Sequence, residues 1–233
     1  MGDTILIAPI NRAHLGAIAA VAALIALVAR FDVLFEVLVG GNAMQSIALI
    51  TVLVLSGAWF ASQCGMRLEL SGPGRPVLTA LAAAAAVAVY ILLLDCWLFR
   101  SQIDPRFVTF LHKPLGDRLL YFMPRAFNEN VIYRLFGFSL LLWLVQRIRG
   151  GKPAESIVLL GAMIASQLVN IGFNLAALAP HRPDAAVLLY DLLRYIVPGV
   201  AWAILFRRNG FACAEIASVG CHLILQPGFS LLL

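Results

Sequence analysis

The chain reads as an all-α, polytopic membrane helix bundle, and three observations carry that class. Hydrophobic residues fill 62% of the 233 positions and charged residues only 12%, about half the charged share with which a soluble domain covers its surface. The mean hydropathy is +0.92. Apolar stretches near the ~20 residues needed to cross a bilayer recur along the whole length. Together these exclude a soluble globular protein. The length suits a single membrane domain, 1–233, with no room for a separate soluble one.

About seven spans are expected. The first covers 13–29, with 31–39 as a candidate continuation. It follows Arg12 and lacks a small-x-small cleavage site with a polar mature start, so it reads as a membrane helix and not a signal peptide. The second covers 43–63 and the third 77–99. The fourth starts near Phe127 and ends near Val145, the fifth covers 156–178 and the sixth 185–206. The last, 211–225, is short and polar for a span. Punctuation separates them: a Gly/Pro-rich loop at 71–76, Gly150-Gly151-Lys152-Pro153, Pro180-His181-Arg182-Pro183, and the tight turn at 207–210, where Gly210 suits a positive φ. The longest polar connection, 100–125, mixes Phe107, Phe110, Leu111, Leu115, Leu119, Leu120 and Phe122 with charges. It is expected as a short amphipathic helix at the membrane interface.

The formal net charge of +5 fits topology and headgroup anchors, because the Lys and Arg residues mostly flank apolar segments. No basic patch alternates with aromatics, so nucleic acid is not an expected partner, whereas the lipid bilayer is. Alternate loops collect eight and seven basic residues. The short loops place the N-terminal side in the cytoplasm. Cys64, Cys96, Cys213 and Cys221 form no C-x-x-C and are expected as buried, unpaired thiols. No zinc-ligand spacing appears, and neither a metal nor a cofactor is expected.

Function is sought in three polar pairs set four residues apart within apolar stretches: Asn130/Arg134, Asn170/Asn174 and His222/Gln226. Four residues are one helical turn, so each pair is expected on one face. Polar groups at bilayer depth are costly and turn inward. Three such faces suggest one shared polar pocket. Glu129 precedes the first pair. A carboxylate at a helix start is commonly a dipole partner, but an arginine deeper in the span is not explained by that role. In an α-helix Glu129 and Arg134 point about 140° apart.

These residues resemble the CPBP family (also called Abi or CAAX-protease-like) of intramembrane glutamic proteases. The family's E-E-x-x-x-R is matched by Glu129-Asn130-Val131-Ile132-Tyr133-Arg134. Its F-x-x-x-H is matched most closely by Asn170-Ile171-Gly172-Phe173-Asn174, and its H-x-x-x-N by His222-Leu223-Ile224-Leu225-Gln226. The approach from Gly199 through Arg207-Arg208-Asn209-Gly210 also resembles the apolar helix and basic turn before the family's last histidine. The likeness covers 120–227, and all three motifs depart from the pattern. Asn130 replaces a glutamate, so Arg134 needs another ionic partner, for which Asp191 and Asp95 are candidates. The second motif has lost its aromatic and its histidine, and Gln226 replaces an asparagine.

The resemblance implies Glu129 as general base, Asn174 as the group orienting the attacking water, and His222 with Gln226 as oxyanion donors. Asn130, Arg134 and Asn170 would support them. A carboxylate held away from bulk water can serve as a base near neutral pH, and each oxyanion donor is worth ~3–4 kcal/mol. An amide can orient a water but cannot take up its proton. The implied activity is cleavage of a membrane-embedded or lipidated peptide by a multi-pass protein of a bacterial inner membrane. The alternative is a non-proteolytic relative, a scaffold or accessory subunit of a larger membrane complex, since change in all three motifs is what loss of catalysis leaves behind. A small transporter has less support, as no inverted repeat or pair of broken helices is present.

Overall fold

The computed structural model describes residues 8–28, 42–72, 74–152, 154–177 and 184–233, with the side chains of 174–177 outside the description. Every regular element among these residues is helical. In chain order they are α1 (Arg12–Val28), α2 (Ala43–Gln63), α3 (Arg75–Leu93) with a π turn at Leu94–Leu98, a 3₁₀ turn (Arg100–Gln102), α4 (Pro105–Leu111) and α5 (Leu115–Glu129). A π segment (Asn130–Phe138) follows, then α6 (Ser139–Ile148), α7 (Ser156–Ala177), α8 (Ala185–Asn209) and α9 (Phe211–Leu232).

Among the described residues, five helices are long and apolar enough to cross a membrane: Ala43–Gln63, Arg75–Leu98, Leu115–Ile148, Ser156–Phe173 and Ala185–Asn209. Helix α1 is apolar but only 17 residues long, and its expected continuation through 31–39 lies outside the described residues. Helix α9 is long enough, but it carries Glu215, His222, Gln226 and Pro227 and is not among the five.

The expected break near Phe127 does not exist. Residues 100–125 form the 3₁₀ turn, α4 and most of α5, and α5 runs without interruption into the fourth apolar segment as one helix of 34 residues. Asp104 starts α4 by accepting from the Arg106 N–H at 2.7 Å, with Pro105 at the first position. Pro114 precedes α5. The polarity change at Phe127 marks where the helix enters apolar surroundings.

The π segment sits at the centre, packed against α2, α5, α6, α7, α8 and α9. Tyr133, Leu135 and Phe138 on it are fully or almost fully buried. Close approach by α2 depends on Gly57, where a Cβ would lie 2.8 Å from the Leu135 carbonyl oxygen. Helix α9 packs on α3, α5 and α8. The buried faces of α3 (Ala80, Ala84, Ala88) and α9 (Ala214, Ala217) are built of small residues, which let helix backbones approach in a membrane. The four cysteines are buried and unpaired, as expected.

Helix α9 starts without a side-chain cap. Its first N–H groups donate instead to the loop before α3: Phe211 to the Arg67 carbonyl at 3.0 Å and Ala212 to the Leu68 carbonyl at 2.9 Å. Gly210, at φ 93°, makes the turn with its Cα against the Glu69 backbone, where a Cβ would collide. This contact fixes the depth at which α9 carries His222.

Candidate active site

A cavity of about 230 Å³ opens between α5, the π segment, α7, α8 and α9. Glu129, Arg134, Asn170 and His222 all line it, together with Arg125, Arg194 and Tyr195. Four of the seven residues expected to build a site therefore share one space.

Glu129 and Arg134 meet there because the helix between them is not α-helical. The π segment begins right after Glu129, and i→i+5 hydrogen bonding widens the turn so that residues five apart share a face. The 140° separation expected of an α-helix does not apply. Asn130 was expected to face the pocket with Arg134. The Asn130 amide turns to α9 and donates to Glu215 Oε2 at 3.2 Å. Asn130 is fully buried and does not line the cavity.

The Glu129 carboxylate is paired with Arg125 of the preceding turn, with Nε 2.9 Å from Oε1. It also lies within electrostatic reach of the His222 ring. That ring is stacked on Phe122 of α5, 5.5 Å between centroids and 12° from parallel, which holds its plane. Its Nδ1 is buried and has no hydrogen-bond partner among the described residues.

Arg134, 5% exposed, donates from Nη2 to Gln167 Oε1 at 2.9 Å and from Nη1 to the Glu129 carbonyl at 3.5 Å. Gln167 is itself fully buried and donates to Ser166 Oγ at 3.1 Å. Room for it comes from Gly199 of α8, where a Cβ would overlap the Gln167 side chain.

Neither expected partner of Arg134 serves it. Asp95, fully buried on the π turn after α3, pairs with Arg194 of α8, Nη2 to Oδ2 at 3.0 Å, and accepts from the Tyr190 hydroxyl at 3.0 Å. The Arg194 contact is electrostatic and not a well-directed hydrogen bond. Asp191, one turn before Arg194 on α8, acts on that same guanidinium. Arg194 is further held over the rings of Tyr190 and Phe107, each 5.5 Å from its Cζ.

The Asn174 side chain, on α7, lies outside the described residues; Asn170, one turn earlier, lines the cavity. Gln226 is buried and does not line the cavity. At its level Arg118 of α5 crosses onto α9, donating from Nη1 to the Gln226 carbonyl at 3.0 Å and from Nη2 to Ser230 Oγ. That crossing covers the face that would have continued the cavity.

Arg125, Arg194, Tyr195, Gln167 and Glu215 were missed from sequence. Arg194 and Glu215 carried the usable signal, a charge inside an apolar segment. The chain matches no family model, no curated protein and no solved structure.

Proposed function

We propose that this protein is a glutamate-dependent intramembrane endopeptidase of the CPBP type. The observation that supports the reading is the shared cavity: Glu129 and His222, from helices far apart in sequence, line one hydratable space with the Asn170 amide. In this reading Glu129 takes a proton from a water, which attacks a peptide carbonyl. An α7 amide, Asn170 or Asn174 one turn later, orients that water. His222 is the oxyanion donor; Gln226 supports the α9–α5 contact instead of the reacting atoms. The substrate is a membrane-embedded or lipidated peptide. It would reach the cavity past α4 and the start of α5, which lie at the interface of a seven-pass bundle in a bacterial inner membrane.

One observation favours the second reading, a non-proteolytic scaffold in a membrane complex. Arg125 occupies a Glu129 oxygen at 2.9 Å, in competition with the water a base must hold. A single experiment separates the two. The protein is reconstituted in liposomes with a panel of membrane-anchored fluorogenic peptides. Glu129→Gln is expected to lower cleavage at least ~100-fold with insertion unchanged. Cleavage by the parent that survives Glu129→Gln, or none on any peptide together with stoichiometric co-purification of a partner, would favour the scaffold.

A further inference from the structure

The wall of the cavity carries more cationic than anionic groups. Among the described residues, three arginines line it, Arg125 of α5, Arg134 of the π segment and Arg194 of α8, against one carboxylate, Glu129. Asp95, Asp191 and Glu215 lie outside that lining. Glu129 has an oxygen 2.9 Å from Arg125, which masks part of its charge. Arg134 donates to neutral acceptors, Gln167 Oε1 and the Glu129 carbonyl, and its Nε has no hydrogen-bond partner among the described residues. From α9 the His222 ring is held against Phe122, and its Nδ1 is likewise without a partner among the described residues. In the Nδ1–H tautomer it offers a further donor. The rest of the lining is largely apolar, with Val87, Ile91, Trp202 and Leu225.

We infer that this cavity binds a phosphate group, carried by a phospholipid of the surrounding bilayer. Guanidinium groups from three different segments suit a tetrahedral ligand. A phosphate offers oxygens that point apart, whereas the two oxygens of a carboxylate lie in one plane and match one guanidinium. Basic pockets between membrane helices take lipid phosphates for this reason. The side chains of Arg125 and Arg194 are 28% and 26% exposed, so a headgroup meets them before it meets the buried Arg134. The apolar part of the wall gives the glycerol end and the start of an acyl chain a place that a free ion does not use. The assignment stands whether or not the cavity hydrolyses peptides.

The test titrates the full chain in a nonionic detergent with dioctanoyl phosphatidic acid and reads occupancy by native mass spectrometry. Dioctanoylglycerol carries the same chains without the phosphate, and inorganic phosphate carries the group without the chains. Phosphatidic acid is expected to bind at least about tenfold more tightly than dioctanoylglycerol and to be displaced by inorganic phosphate. Arg125→Gln and Arg134→Lys, which keeps the charge and loses the fork, are each expected to weaken binding at least about fivefold. Arg147→Gln, on α6 and outside the cavity lining, is expected to leave it unchanged. Glu129→Gln removes the one opposing charge and is expected to strengthen binding about threefold or more, the reverse of its effect on cleavage. The two readings of the cavity can therefore fail separately. Inorganic phosphate bound as tightly as phosphatidic acid would assign the same site to the free ion. The proposal is overturned if dioctanoylglycerol binds as well as phosphatidic acid, if Arg125→Gln behaves like Arg147→Gln, or if Glu129→Gln weakens binding. Arg125, the more exposed of the two, decides the outcome if Arg134→Lys cannot be recovered folded.

Discussion

Two arginines from different helices enter one cavity, and they are held in opposite ways. Arg194 has a direct carboxylate partner, Asp95, which a tyrosine hydroxyl also supports, and two aromatic faces below its guanidinium. Arg134 is served by an amide and a carbonyl, Gln167 Oε1 at 2.9 Å and the Glu129 backbone oxygen at 3.5 Å. The first is a direct ion pair between the π turn after α3 and α8, with one carboxylate at its centre. The second is a network of neutral groups from the end of α5 and from α7, in which no one contact carries the whole load. A direct pair should fail abruptly when its partner is removed, whereas a network should fail by degrees.

The largest expected effect is therefore at Asp95. Asp95→Ala leaves Arg194 inside the bundle without its carboxylate and is expected to cost about 3 kcal/mol or more, read as a loss of Tm or of denaturant midpoint in detergent. A loss below about 1 kcal/mol would mean that Asp191 can take over the arginine, and the contrast between the two sites would collapse. Next comes the network. Gln167→Leu removes one charged hydrogen bond from Arg134 and is expected to cost about 1.5–3 kcal/mol. Gly199→Ala should reproduce much of that loss by displacing Gln167, and should cost little once Gln167 has been cut back to alanine. Additive losses would show that Gly199 matters for helix approach alone. The smallest expected effect is Tyr190→Phe, about 1 kcal/mol, since Asp95 keeps its arginine. A larger loss would show that the hydroxyl, not the guanidinium, secures the carboxylate.

The membrane class and most helix positions were legible because burial in lipid leaves a compositional record that needs no partner to interpret. The segments at 43–63 and 185–206 were placed within a few residues of the helices found. So was the turn at Gly210, since only glycine sits easily at φ 93° with its Cα against another backbone. The convergence of Glu129, Arg134, Asn170 and His222 on one space was readable from polar residues in apolar surroundings. Arg194 offered the same signal. Its acidic neighbour Asp191 stands three residues before it, outside the four-residue spacing of the other polar pairs.

The π segment was not readable. Asn130 and Arg134 mark an inward face in that segment, but nothing in its composition distinguishes i→i+5 from i→i+4 bonding. Its extra-wide turns sit at the centre of the bundle, packed by six neighbouring elements and approached closely at Gly57. Asn130 was readable as a polar group that turns inward beside Arg134. That its amide meets Glu215, 85 residues later, depends on how deep α9 sits, and the loop at 67–71 sets that depth through the α9 N-terminus.

By itself the amino-acid order determined the solvent this protein is built for, the rough extent of its helices and the polar residues that must turn inward, because transfer between water and lipid acts on each segment independently. Tertiary structure alone decided which carboxylate faces which arginine, that Asn170 and not Gln226 reaches the cavity, and that residues five apart share a face. Those outcomes depend on helix phase and depth, which are set by contacts between segments distant in the chain.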